Sequence, residues 1–225
     1  AGVFLRQLEA IGVNTPSGYA MPVLHPTPAE EASMRRKLSL GANGAECIAV
    51  NINAGATSLE RRWPPERFLE LVARMHEENP SRLFFFTGSG DERPYVHAAL
   101  TRRAAFAEFT VNCAGLLTLG EFIALLRRCT LFITNDSGPM HIAAAVGTPL
   151  VALFGPEAPH FYGPLADARV VYKQLSCSPC LNVYNAKLFV CPFDARCMKE
   201  LSVDEVLSAI RTVVAPPRRV VASCS

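Results

Sequence analysis

The densest chemistry in the chain lies in Asn135-Asp136-Ser137-Gly138-Pro139-Met140-His141. This segment follows the apolar run LFIT (131–134) and leads into a helix-compatible stretch from Pro139 to Val146. Pro139 suits a first helical position and Ser137 or Gly138 the cap, so free backbone N–H groups and the positive end of the helix dipole face whatever lies ahead of them. Gly138 allows close backbone approach, and such an end favours an anion, for instance a phosphate. An ordinary cap explains Ser137 and Pro139 but leaves Asp136 and His141 unaccounted for at the same helix end. A second loop, Asn53 to Trp63, holds Arg61 and Arg62. A guanidinium can neutralise a diphosphate through paired hydrogen bonds; a solvated pair of charges is the bland alternative. The third loop, Gly88-Ser89-Gly90-Asp91-Glu92, can set a carboxylate beside ribose hydroxyls. It is not a dinucleotide fingerprint, because Arg93 stands where the third glycine belongs, and a turn with acids at a helix start explains it nearly as well.

Cys177, Cys180, Cys191 and Cys197 form C-x2-C-x10-C-x5-C in a stretch without clear periodicity. A tetrahedral thiolate site for zinc fits this pattern, with reduced thiols or disulfides as the alternatives. Cys47, Cys113 and Cys129 sit in or beside apolar runs and read as buried small hydrophobes. His25, His76, His97 and His160 have no partner spacing. No Asp-x-Asp pair offers ligands for a divalent metal on a diphosphate, and there is neither a Gly-x-Ser-x-Gly elbow nor a Walker loop.

These loops need elements to hold them. From residue 47 onward strand-like and helix-like runs alternate: CIAVNI (47–52), a helix from Pro65 to about Glu78, RLFFFTG (82–88), a helical stretch from Glu92 to Arg103, and a short strand near 109–112. Thr118 with Glu121 forms a capping box before EFIALLRRC, and LFIT, the helix to Val146 and PLVALFG (149–155) follow. Ser202 with Glu205 caps a last helix running to about Val214. Strands apolar on both faces, alternating with amphipathic helices, predict a doubly wound α/β domain over 47–214, with its ligand at the strand C-termini. Residues 1–46 hold turn signals at Asn14, Pro16 and Gly18, a strand-like MPVL and a helix from about Thr27 to Leu40. They read as the tail of a preceding domain plus a connecting helix, and 215–225 as a flexible tail.

Half of the 225 residues are hydrophobic, which supports a continuous core and excludes general disorder. A net charge of +2 gives no reason to expect nucleic acid as a partner, so any polyanion site must be local. Eight cysteines are too few for a disulfide-built scaffold. The 20 residues between Asp136 and Glu157 lack acids, Lys and Arg, but Gly138, Pro139, Gly147, Pro149, Gly155 and Pro156 break them into helix, turn and strand rather than a membrane span. No signal-peptide pattern is visible, and a chain starting at Ala1 reads as a fragment.

The runs TNDSGPMHIAAAVGTPLVALFGP, GLLTLGEFIALLRRCTLFI and NAGATSLERRWPPERF, with the later CSPC and Cys-Met, resemble glycosyltransferase family 9, the bacterial heptosyltransferases of the lipopolysaccharide inner core. The resemblance implies a GT-B fold, two Rossmann-like domains facing a cleft, of which this chain is similar to the C-terminal, donor-binding one. It implies Arg61 on the donor phosphates, Glu92 on the ribose, Leu117 against the base, and Asp136 near the donor sugar. Ser137, Gly138, Met140 and His141 fall at the phosphate-binding helix start, and Glu157 stands where Thr is usual. The implied reaction is inverting, metal-independent transfer, with no cofactor, from an ADP-heptose-like donor to a lipid A-linked acceptor. That acceptor, like the general base, belongs to an N-terminal domain, which places the enzyme in the cytoplasm or peripherally at the inner membrane. The rival expectations are a nucleotide-binding or zinc-stabilised interaction module, and a nucleotide-sugar epimerase of related architecture.

Overall fold

The computed structural model describes residues 10–13, 22–40, 45–55, 58–166, 168–182, 184–185 and 188–213. Six parallel strands form its sheet: β1 (Cys47–Asn51), β2 (Leu83–Phe86), β3 (Thr110–Asn112), β4 (Leu131–Asn135), β5 (Leu150–Phe154) and β6 (Ala168–Tyr172), in the order β3-β2-β1-β4-β5-β6. The order reverses beside β1, whose Asn51 pairs with Thr134 of β4.

Every residue of β1, β4 and β5 is buried, as a sheet covered on both faces requires. Alternate side chains feed two separate cores. Ile48, Val50, Phe84, Phe86, Ile133 and Leu153 pack with α2 (Pro65–Glu78) and α8 (Val203–Val213). Ala49, Phe85, Phe132, Ala152 and Phe154 pack with α1 (Pro28–Lys37), α4 (Leu119–Arg128) and α5 (Gly138–Val146). Each fully buried Phe here contributes about 1.5 to 3 kcal/mol relative to exposure.

Helix α1 is fastened to α4 by one carboxylate. Glu121 completes the capping box with Thr118 and also accepts from Ser33 Oγ at 2.6 Å and Lys37 Nζ at 2.7 Å. These bonds to its ionised form pull its pKa down to about 2. Gly120 makes the approach possible, since a Cβ there would lie 1.8 Å from Glu30 Oε1. Both capping boxes foreseen at Thr118 and Ser202 are formed.

The structure departs from the sequence expectations at three places. The strand β6 was not foreseen, because it is an edge strand whose residues are exposed or half-buried rather than uniformly apolar. The helix expected to reach Arg103 ends as α3 (Arg93–Leu100), where Thr101 Oγ1 donates to His97 O at 3.0 Å, and a separate 3₁₀ segment covers Ala104–Glu108. Residues 22–24 of the strand-like MPVL are not in the sheet; Leu24 N–H instead donates to Ala145 O at the end of α5, at 2.9 Å. The turn signals at Asn14, Pro16 and Gly18 and the tail 215–225 lie outside the described residues. Two short helices complete the chain order, α6 (Pro159–Tyr162) and α7 (Arg196–Lys199). Among the described residues no helix is long and apolar enough to cross a membrane.

Candidate functional site

A cleft of about 630 Å³ opens at the C-terminal ends of β1, β2 and β4. Its shape depends on three buried asparagines at or just beyond strand ends. Asn51 Nδ2 donates to Ser137 Oγ at 3.1 Å and to Thr134 Oγ1 at 3.3 Å. Asn53 donates from its backbone and side chain to Asn51 Oδ1, and from Nδ2 to Thr87 O at 2.9 Å. Asn135 ties β4 to the loop after β1, donating to Ile52 O and Asn53 O and accepting from Trp63 N–H at 3.0 Å. Sequence reasoning passed over this network. Its signal was the N-I-N run at the end of a β-branched strand, where asparagine is a poor strand former.

The two arginines of the second loop part company. Arg61, at the end of a single 3₁₀ turn (Leu59–Arg61), lines the cleft; its Nη2 donates to Ala54 O at 2.9 Å and its Nη1 lies 3.8 Å from Asp136 Oδ2. Arg62 turns away, with its guanidinium 4.6 Å from the centre of the Tyr95 ring and Nη2 on Gly55 O. Fully buried Trp63 anchors the loop between them and α2, its indole N–H donating to Leu201 O at 3.0 Å.

Ser137 caps α5 in extended conformation, yet its hydroxyl does not bond the helix; it donates to Asn135 O and accepts from Asn51. At the start of α5 Gly138 N–H has no intrahelical acceptor and Pro139 carries no N–H, and Ser137, Gly138 and Pro139 all line the cleft. Met140 does not join them. Its side chain is fully buried in the core and its N–H donates to Ser137 O at 3.0 Å, so the expectation of a ligand contact from Met140 is corrected by helix geometry. His141 is exposed and stands outside the cleft lining, with partial burial of its ring holding the pKa below the usual value.

The cleft also has an apolar lining from Cys113, Leu117, Leu119, Phe122 and Ile142. Burial pushes the Cys113 thiol up to about 12, so it stays protonated and packs as a hydrophobe. Glu92 also lines the cleft; its Oε2 accepts from Ser89 N–H at 2.9 Å. Gly88 makes this crossing possible, since a Cβ there would meet Asn53 Nδ2 at 2.6 Å and Glu92 Oε2 at 3.1 Å.

Asp136 is buried beside Arg61 rather than in the cleft lining. Burial raises its pKa to about 7; Arg61 opposes the rise and nearby Glu157 adds to it. Burial likewise raises Glu157, again opposed by Arg61. The four cysteines at 177–197 are free thiols, and among the described residues no group of three or more His, Cys, Asp or Glu converges as metal ligands. The four-thiolate arrangement admitted by their spacing is therefore not formed here. Cys191 Sγ accepts instead from Ala195 N–H, and Cys180 N–H donates to Pro156 O.

A doubly wound parallel sheet with its cleft at the strand C-termini, beside the reversal of strand order, defines a Rossmann-like α/β domain, here of the GT-B kind. The sequence pattern of Glycosyltransferase family 9 (heptosyltransferase) matches residues 6–188, and the chain belongs to that family. It is 37% identical over 116 residues to lipooligosaccharide heptosyltransferase 2 of Haemophilus influenzae, covering 50% of this chain and 32% of the relative. With the enzyme of the same name from Campylobacter jejuni (serotype O:6, strain 81116) the identity is 30% over 179 residues, covering 77% of this chain and 53% of the relative. The structure of E. coli ADP-heptose lps heptosyltransferase II superimposes with a TM-score of 0.72 at 25% identity, over 89% of this chain and 55% of that one. The chain thus spans from about a third to about half of the length of these relatives.

Proposed function

We propose that this chain is the donor-binding half of a heptosyltransferase-like glycosyltransferase, holding ADP-heptose or a similar nucleotide sugar for transfer to a lipopolysaccharide core acceptor. The observation that supports this reading is the mixed lining of one cleft. Its apolar residues, Leu117 among them, suit a base; Glu92 can accept from ribose hydroxyls; and Arg61 with the α5 N-terminus can donate to a diphosphate.

In an inverting transfer the acceptor hydroxyl oxygen attacks the anomeric carbon from the face opposite the diphosphate. The new C–O bond forms as the bond to the β-phosphate oxygen breaks, the hydroxyl proton passes to a base, and ADP leaves. Negative charge grows on the leaving diphosphate, where Arg61 and the N–H groups of Ser137 and Gly138 stabilise it. We assign the base and the acceptor site to no residue of this chain. The enzyme would work in the cytoplasm, at the inner membrane where a lipid A-linked acceptor is presented.

Calorimetry with ADP tests the reading. The 225-residue chain should bind ADP with one site and equal affinity with EDTA or with magnesium, because Arg61 takes the part of a divalent ion. Binding that requires magnesium would overturn the metal-independent reading; no binding at all would favour an interaction module.

A further inference from the structure

A second depression, of about 220 Å³, lies between α1 and α4, on the face of the sheet opposite α2 and α8. Buried Met34 and Ala124 form part of its lining, and Arg35, Arg127 and Arg128 complete it with a single acid, Glu31. Arg35 and Arg127 are exposed and Arg128 is half-buried. Among the described residues none of the three arginines forms an ion pair: Arg127 Nη1 lies 3.1 Å from His25 Nδ1, and Arg128 Nη2 donates to Ala45 O at 3.4 Å.

Basic residues in the last turn of a helix complement its dipole, which accounts for Arg35 on α1 and for Arg127 and Arg128 on α4 one helix at a time. It does not account for the lack of counter-ions. On the opposite face Arg74 pairs with Asp204, Arg102 with Glu66 and Arg211 with Glu78, so the exposed guanidinium groups there are neutralised by neighbouring acids. Around the depression three arginines from two helices instead leave a local positive surface, on a chain whose net charge is only +2.

Resting on the donor-binding reading above, with its lipid-linked acceptor, we propose that this face docks on the anionic phospholipid surface of a membrane, where Arg35, Arg127 and Arg128 take lipid phosphates. A guanidinium is planar and weakly hydrated and pairs with phosphate through two parallel hydrogen bonds. Nucleic acid fits the face less well. Helix α1 carries no aromatic side chain, and Phe122, the one on α4, is half-buried and lines the donor cleft, so no ring is offered for bases to stack on. Helix α4 also connects the two sites: Leu119 and Phe122 near its start line the cleft, and Arg127 and Arg128 at its end line the depression. Its ten residues span about 15 Å, which sets the membrane one short helix away from the donor.

Sedimentation of the 225-residue chain with vesicles of phosphatidylcholine, alone or mixed with phosphatidylglycerol, tests the proposal. The chain should bind the anionic vesicles only, and should be released as salt is raised. A triple variant, Arg35→Gln with Arg127→Gln and Arg128→Gln, should lose roughly a hundredfold in vesicle affinity, about fivefold for each arginine. The triple variant Arg74→Gln, Arg102→Gln, Arg211→Gln removes the same charge from the opposite face and should lose far less. Equal losses in the two triple variants, or equal binding of wild type to both kinds of vesicle, would overturn the proposal, as would capture of single-stranded RNA in preference to anionic vesicles. If thermal melting shows the first triple variant unfolded, the single variants Arg35→Gln and Arg127→Gln, at exposed positions, decide. Calorimetry with ADP keeps the two readings apart. Wild type that binds ADP but no vesicles would overturn the docking face alone, whereas wild type that binds anionic vesicles but not ADP would overturn the donor reading and leave the docking face supported.

Discussion

Arg61 and Arg62 are neighbours in sequence, and the 3₁₀ turn that carries Arg61 sends their side chains to different surroundings. Arg61 is 19% exposed, held by Ala54 O and beside Asp136, whereas Arg62 lies over the Tyr95 ring. Only the first guanidinium lines the cleft. Arg61→Ala should therefore weaken ADP binding by about 1.5 to 3 kcal/mol, and Arg62→Ala by well under half of that, as read by calorimetry on folded variants. Equal losses would mean that both side chains reach the phosphates when ligand is bound. In the sequence the two residues were equivalent except through family resemblance. What separates them is the tether at Trp63, whose N–H on Asn135 and indole on Leu201 set the direction of the turn.

Among the elements, the junction of α1 and α4 depends on a single buried carboxylate. Glu121 accepts from Thr118 N–H, Ser33 and Lys37, and its pKa falls to about 2 as a result. A carboxylate lowered in the folded state contributes stability that is complete above its ordinary value of 4.5 and is lost as the pH falls toward 2. The bond from Lys37 lowers the Glu121 pKa most, followed by those from Ser33 and the Thr118 cap; with Lys37 41% exposed, solvent screens part of its share of the stability. Glu121→Gln should cost about 1 to 3 kcal/mol at pH 7, or about 2 to 4 °C of melting temperature per kcal/mol. In thermal melts the difference from wild type should shrink as the pH approaches 2; a difference independent of pH would assign the effect to packing. The capping box was legible as Thr118 and Glu121 three residues apart. The partners Ser33 and Lys37, more than eighty residues away, were not.

For the whole molecule, the six parallel strands bring the ends of β1, β2 and β4 to one edge, and the cleft there is lined by one Rossmann-like unit. An inverting transfer also needs an acceptor and a base facing the anomeric carbon, and we place both outside residues 1–225. The chain should therefore bind ADP-heptose and show no transfer to a lipopolysaccharide core acceptor, in an assay that follows ADP release. Measurable transfer would overturn that placement and require a base within the chain.

The alternation of apolar runs with amphipathic stretches, the capping boxes and the Gly-Pro punctuation were enough to read a doubly wound parallel sheet from the amino acids alone, because each signal is local and repeats with the period of its element. The loops that carry Arg61, Glu92, Ser137 and Gly138 could be found in the same way, since parallel sheets put their ligands at strand C-termini. The edge strand β6 escaped because half-exposure erases the apolar run that marks a central strand. Tertiary structure alone decided that Met140 belongs to the core, that Arg62 turns to Tyr95, and that Asp136 lies beside Arg61. Those outcomes depend on side-chain direction and on contacts between residues far apart in the chain, and neither leaves a periodic mark in the sequence.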